Sequence, residues 1–267
     1  MTPIEKVRKA RDKDRLKIQD YIDNLFTDFF EQKGDRLGKE DESIIGGIAL
    51  FNDTPVTIIG HRKGKDVKEN IKYNFGMAGP EGYRKAKRIM EQAVKFRRPI
   101  ITFVDTPGAY PGLEAEMNGQ AKAIADNLAF MSTLDVPVLS IVTGEGSSGG
   151  ALGIAMGNKV YMLENSVYSI LSPEGFASIL WHDAGKSERA AKIMKLTPED
   201  LLELGLIDGI IEEDKLLDNL KEVISDFLNS EQKKKPEQIK QERYEKYRYF
   251  DERFLKIYDR NKNIVNG

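Results

Sequence analysis

Two glycine-rich segments carry the residues best suited to chemistry. Phe103 to Gly112 reads FVDTPGAYPG, and Thr143 to Gly153 reads TGEGSSGGALG. Each follows a short apolar, β-branched run, Ile100 to Val104 and Val138 to Val142, of the kind that forms buried strands. A glycine turn at the carboxyl end of such a strand places backbone N–H groups where ligands of α/β sheets bind. Where a helix starts at the same point, its first N–H groups lack partners and its dipole end is positive. That combination favours an anion, or an oxygen that becomes negative during a reaction. Gly149, Gly150 and Ala151 stand at such a start. Tight packing of helix on strand would also ask for glycine at 149 and 150.

The side chains offer less. Ser147 and Ser148 invite a nucleophile, which needs a base within hydrogen-bond reach. Only His61 and His182 could serve. His182 follows Trp181 in an expected helix and reads as a surface histidine. His61 opens the basic stretch HRKGK, which reads as a solvated hairpin loop or as a holder of phosphate or carboxylate. Asp105 and Glu145 end the two buried strands. They read as acceptors of local backbone N–H bonds that fix the turns, in preference to catalytic carboxylates. Gly144 and Gly146 are not followed by Gly-Lys-Ser/Thr, so no P-loop is present. No acidic residue ends an obvious second strand, which disfavours a dinucleotide site.

The elements that must position these turns alternate between strand and helix, which implies an α/β fold. Ile44 to Phe51 and Pro55 to Gly60 read as strands joined by a turn at Asn52 to Thr54. Pro80 to Phe96 reads as a helix and Glu114 to Leu134 as another. Gly146 to Ser148 reads as a turn into a small-residue helix, Gly149 to Met156. Val160 to Leu163 and Val167 to Leu171 read as strands. Residues 1–42 read as a charged, helical segment, with Ile22, Leu25, Phe26, Phe29 and Phe30 on one face of a helix from Asp20 to Gln32 that stops near Gly34. Residues 43–213 form the central domain. Residues 214–267 form a helical extension: an amphipathic helix from Asp214 to Leu228, a charged break from Glu231 to Pro236, and a last helix carrying Tyr244, Tyr247, Tyr249, Phe250 and Phe254. That helix packs either on this chain's core or on a partner chain.

Composition narrows the function classes. A chain of 267 residues with net charge −2 fits one large domain and argues against a nucleic-acid binder. It has no cysteine and only two histidines, so thiol chemistry, disulfides and a multi-histidine metal site are all disfavoured. The N-terminus, MTPIEKVRKARDKDR, lacks the apolar core of a signal peptide. No stretch reaches the ~18 apolar residues of a membrane span. A cytoplasmic location is expected.

Longer motifs then carry a resemblance. NFGMAGPEGYRK (Asn74 to Lys85), PIITFVDTPGAYPG (Pro99 to Gly112), GEGSSGGAL (Gly144 to Leu152) and SPEGFASILW (Ser172 to Trp181) together resemble the alpha-subunit family of bacterial-type acetyl-CoA carboxylase carboxyltransferases. DYIDNLFTDFFEQKGDR upstream, IIGGIALF, PVTIIGHRKG and LGLIDGIIEE extend the likeness over nearly all of residues 16–213. The resemblance implies a crotonase-like spiral of β-β-α units. It implies carboxybiotin, presented by a biotin carboxyl carrier protein, with ATP consumed at a separate biotin carboxylase subunit. It implies an α2β2 assembly with a beta subunit that carries a zinc ribbon and most of the acetyl-CoA site, and it implies no metal in this chain. Backbone amides of Gly150 and Ala151 would hold the charge on the biotin ureido oxygen, with Gly149 shaping the turn. Pro107, Gly108, Ala109, Tyr110 and Gly112, with Gly79 and Gly82, would line the pocket. The product would be malonyl-CoA, for fatty acid biosynthesis. Ser147, Glu114, Met117 and Asn118 depart from the family pattern, and the chain lacks the usual Pro-Leu-Gly-Gly-Ala-His segment after Glu213.

Three rival readings remain. A stand-alone crotonase-fold hydratase, isomerase or decarboxylase would need Glu145 or Glu174 as base. A peptidase would use Ser148, but the position expected to hold its histidine falls near Leu171 and Ser172. A non-catalytic scaffold would use the glycine loops for packing alone.

Overall fold

The computed structural model describes residues 1–231 and 233–251. The chain opens with α1 (Pro3–Ala10), α2 (Ile18–Leu25) and β1 (Thr27–Glu31). A hairpin of β2 (Ile44–Phe51) and β3 (Thr54–His61) follows. Its two connecting residues, Asn52 and Asp53, have φ of 45° and 61°, the left-handed pair that matches strand twist. Next come α3 (Val67–Lys72), α4 (Pro80–Lys95), β4 (Ile100–Thr106), α5 (Leu113–Met117), α6 (Gln120–Thr133), β5 (Val138–Ser147) and α7 (Ser148–Ala155). Beyond them lie β6 (Lys159–Leu163), β7 (Val167–Ser169), α8 (Pro173–Trp181), α9 (Ser187–Met194), α10 (Pro198–Glu203), β8 (Gly209–Ile211), α11 (Leu216–Glu231) and α12 (Pro236–Arg248).

The sheet runs β1-β2-β3-β4-β5-β6-β8, antiparallel at the β1–β3 end and parallel from β3 onward. β5 outruns its neighbours, and its last three residues pair with β7. The alternation of side chains explains the continuous apolar runs. Ile100 and Val104 face a core made with α4, α6 and α7 through Ile89, Met131 and Ile154. Ile101 and Phe103 face a second core made with α2 and α11 through Ile22 and Ile224. A strand buried on both faces needs an apolar residue at nearly every position.

Four expectations change. The helix expected from Asp20 to Gln32 ends at Leu25, and the chain turns into β1 along the edge of β2. Gly47 permits this: a Cβ there would lie 2.2 Å from the Phe30 carbonyl oxygen. Phe29 still packs on the second core, but Phe30 points outward, 69% exposed. The helix expected from Glu114 to Leu134 is two helices, broken at Gly119 with φ 84°. No glycine turn separates β5 from its helix; the strand continues to Ser147 and the bend falls on Ser148 alone, φ 54°. The strand expected from Val167 to Leu171 stops at Ser169. Phe254 lies outside the described residues.

Candidate active site

The parallel pairing of β4 with β5 brings the two glycine segments side by side at their carboxyl ends. Past β4, Thr106 Oγ1 accepts the Gly108 N–H at 3.1 Å and donates to the Gly108 carbonyl at 2.7 Å. Gly108 has φ 148°, open to glycine and strained for other residues. The Tyr110 N–H donates to the Ala78 carbonyl at 2.9 Å, and Gln120 Nε2 bridges the Ala78 and Tyr110 carbonyls. The loop is thus pinned on both sides of Ala109. The Ala109 N–H itself has no acceptor among the described residues.

Past β5, Ser148, Gly149 and Gly150 form the first turn of α7. Their N–H groups have no carbonyl within the helix to bond, whereas Ala151 sits where helical geometry directs its N–H to the Ser147 carbonyl. Ala151 is fully buried and Gly149 half-buried. A Cβ on Gly150 would lie 2.4 Å from the Ala109 nitrogen and 2.5 Å from the Gly108 carbonyl carbon. The two glycine segments therefore touch, backbone to backbone, at Gly150. Tyr83 holds the helix from below: its ring fills the space beside Gly153, and its hydroxyl donates to the Gly150 carbonyl at 3.1 Å. Asn127 Nδ2 donates to the Gly153 carbonyl at 3.0 Å.

A largely apolar cleft of about 750 Å³ at α7 is lined by Ser148, Gly149, Leu152, Tyr168, Tyr247 and Phe250. A second, polar cleft of about 300 Å³ is lined by Gly79 and Tyr110 with Asp41, Glu81 and Glu114. Gly79 donates to Asp41 at 2.7 Å, and Gly82 is buried against the same carboxylate. Gly112 leaves room for the Tyr110 ring, and Pro107 is exposed. The sequence-derived residues thus divide: Gly108, Ala109 and Gly150 meet, Gly149 lines the apolar cleft, and Gly79, Gly82, Tyr110 and Gly112 shape the neighbouring loop.

The model of the acetyl co-enzyme A carboxylase carboxyltransferase-like family matches residues 1–251. The chain belongs to the acetyl-CoA carboxylase carboxyltransferase family. It is 58% identical over 213 residues to the acetyl-coenzyme A carboxylase carboxyl transferase subunit alpha of Oceanobacillus iheyensis, covering 80% of this chain and 67% of that protein. It is 52% identical over 257 residues to the Bacillus subtilis subunit, covering 93% and 79%. The Bacillus cereus strain G9842 subunit is 60% identical over 211 residues, with 79% and 65% covered. The chain therefore spans about two thirds to four fifths of the length of these relatives. Its fold is shared with a transcarboxylase 12S structure, at TM-score 0.71, 19% identity, and 85% and 45% of the two chains. It is also shared with the P. aeruginosa geranyl-CoA carboxylase beta subunit, at TM-score 0.68, 15% identity, and 88% and 46%. These neighbours bear out the crotonase-like fold.

In this carboxyltransferase-family chain the serine and carboxylate alternatives fare poorly. Ser148 occupies a sharp strand-to-helix bend, but His61 is fully buried and does not bond Ser148, and His182 caps α8 on the surface. Glu145 accepts from Arg11 Nε at 2.6 Å and Lys63 Nζ at 3.1 Å, so both its oxygens are engaged by cations. Arg11 also binds Glu174 at 2.9 Å. Burial pushes the Glu174 carboxyl up and the Arg11 pairing more than offsets it, leaving it below the usual glutamate value. A general base near neutrality needs the opposite environment.

The basic stretch HRKGK is the largest miss. It is no solvated loop: His61 is buried, and Lys63 binds both Asp105 and Glu145. Asp105 does accept a backbone N–H, but the donor is Glu145 on the next strand, at 3.0 Å, and not a neighbour in its own turn. Gly144 is required there, since a Cβ would lie 2.3 Å from Asp105 Oδ1. The one sequence signal was the pairing of an acidic residue with a glycine turn at the end of both strands.

Among the described residues, no group of three or more metal-ligating side chains occurs, and no helix is long and apolar enough to cross a membrane.

Proposed function

We propose that this chain is the alpha subunit of an acetyl-CoA carboxylase carboxyltransferase, which moves a carboxyl group from carboxybiotin to acetyl-CoA and yields malonyl-CoA. The contact of Gly150 with the Gly108–Ala109 peptide supports the reading, because it brings the backbones of the two segments together. The negative charge on the ureido oxygen of biotin, as it gives up the carboxyl group, would be met by the Ala109 N–H from one side. The first N–H groups of α7 would meet it from the other. Helix geometry favours Gly149 and Gly150 as those donors, one residue earlier than the pair Gly150 and Ala151 expected from resemblance. The Ala109 N–H, without an acceptor among the described residues, suits a ureido oxygen, and the apolar cleft opening at Gly149 suits a hydrocarbon ring. Preorganised donors of this kind contribute on the order of 10²–10³ in rate each. No side-chain nucleophile is needed.

The partners in this reading are a beta subunit in an α2β2 assembly, a biotin carboxyl carrier protein, and a biotin carboxylase that uses ATP, all in the cytoplasm. The acyl-CoA site belongs mainly to the beta subunit. Co-expression with the beta-type chain tests the proposal through the reverse reaction, malonyl-CoA-dependent carboxylation of free biotin. The pair is expected to be active and each chain alone inactive. Turnover of an enoyl-CoA or malonyl-CoA by this chain alone would instead support a stand-alone crotonase-fold enzyme.

A further inference from the structure

Lys63 lies two residues past β3, below the two donor segments, and its side chain is only 14% exposed. Its Nζ is 2.8 Å from Asp105 Oδ1 and 3.1 Å from Glu145 Oε2. Asp105 is the next-to-last residue of β4, four before Ala109 in sequence, and Glu145 lies three before Ser148 on β5. One ammonium thus joins the roots of both donor segments. The same Asp105 carboxylate accepts the Glu145 N–H, so strand, strand and ammonium close a triangle. Arg11 completes it from α1 through its bond to Glu145 Oε1. The Asn74–Phe75–Gly76 turn presses on the lysine stem: a Cβ at Gly76 would lie 3.1 Å from Lys63 Cγ and 2.8 Å from the Asp105 carbonyl oxygen. Within the triangle two carboxylates stand against Lys63 and Arg11, and Arg11 also pairs with Glu174.

We infer that Lys63 is a positioning residue: by bridging Asp105 and Glu145 it sets the spacing between the Ala109 donor and the Gly149–Gly150 donors. The inference rests on the proposed role of those donors. Two buried carboxylates without their shared cation repel each other and draw in water, which separates the ends of β4 and β5. A donor displaced by about 1 Å costs on the order of 10²-fold in rate. Burial opposes the Lys63 charge and the two carboxylates more than restore it, so the side chain stays an ammonium and has no lone pair for chemistry.

The test uses the chain assembled with its beta-type partner, in the reverse reaction. Lys63→Met is expected to lower kcat by about tenfold to a hundredfold with little change in KM for malonyl-CoA. Lys63→Arg, which keeps the cation, is expected to recover most of kcat. Lys63→Met with wild-type kcat, or Lys63→Arg no better than Lys63→Met, overturns the inference. Should Lys63→Met fail to fold, Lys63→Met/Glu145→Gln keeps the charge balanced and is read against Glu145→Gln alone. The double variant is expected to be slower, and equal kcat overturns the inference. A wild-type pair that does not turn over would sink the functional proposal instead. Lys63 is then judged by amide hydrogen exchange over residues 105–112 and 143–150: about tenfold faster exchange in Lys63→Met supports the bridge, and unchanged exchange overturns it.

Discussion

Gly149 and Gly150 are neighbours in sequence and differ sharply in what they tolerate. A methyl on Gly149 would meet Ile124 at 3.5 Å, an ordinary contact, whereas one on Gly150 would drive into the Ala109 nitrogen at 2.4 Å. Gly149→Ala should therefore keep the melting temperature of the wild-type chain. Gly150→Ala should force the donor segments apart and lower carboxyl transfer by about 10²-fold with the circular dichroism spectrum retained. Equal activity of the two variants would refute the donor geometry. His61 supplies a separate test. Burial pushes its pKa down from 6.5 to about 4, with Asp105 and the Gly150 backbone pulling the other way and Lys63 adding to the depression. Between those values the unfolded chain binds a proton that the folded chain refuses, so stability falls as pH drops from about 6.5 to about 4 and levels off below. The loss amounts to ~3 kcal/mol. His61→Leu places an apolar side chain at this buried position and removes the titrating group. Urea unfolding at pH 7 and pH 4.5 should show a smaller acid loss in His61→Leu than in wild type, and identical losses would mean that His61 is not held neutral. The glycine segments were legible because their chemistry is local. Lys63 was not, because its partner Glu145 is 82 residues away and a basic stretch looks the same whether it faces water or a carboxylate.

The elements that hold the site were read well where burial is two-sided and poorly where one contact decides. β4 and β5 announced themselves as unbroken apolar runs, and α4 began at Pro80 as its sequence required. The segment after Leu25 offered equally good helical spacing, but the open edge of β2 beside Gly47 claimed it as a strand. The C-terminal helix left two homes open, and α12 takes the first: it docks on its own chain. Arg243 is the anchor, fully buried, donating to the carbonyls of Met131, Leu134 and Val136 and to Asn158 Oδ1. In the run QERYEKYRYF that arginine is indistinguishable from solvated neighbours. Arg243→Met should take the guanidinium donor from the Leu134 and Val136 carbonyls and cost ~3 kcal/mol or more. Limited proteolysis should then cleave within α12 while the core resists. Unchanged resistance would mean that the other contacts of α12, such as the hydrogen bond from the Tyr247 hydroxyl to the Gly157 carbonyl, suffice to hold the helix.

At the scale of the whole molecule, length suggested one large domain and the alternation of strands and helices an α/β fold, but no pattern in the chain marks which surface a partner covers. The structure narrows that choice. Leu113 and Met117 on α5 are 77% and 79% exposed, on the stretch that follows the Ala109 donor. Side chains so exposed stabilise the isolated chain hardly at all, so their replacement is a clean probe of association. Burying each against a partner is worth ~1.5–3 kcal/mol. Leu113→Asp/Met117→Asp should leave the melting temperature of the lone chain unchanged and weaken its affinity for the beta-type chain by about 10²-fold or more, measured by titration calorimetry. With a net charge of −2 and an apolar contact, that affinity should also depend only weakly on salt. If the double variant keeps wild-type affinity, the partner lies elsewhere, and the exposed Ile170, Ile179 and Leu180 near α8 become the surface to change next. Either result bears on the proposed mechanism, in which a partner seated beside Ala109 would bring an acyl-CoA carbon to the carboxyl group that carboxybiotin gives up.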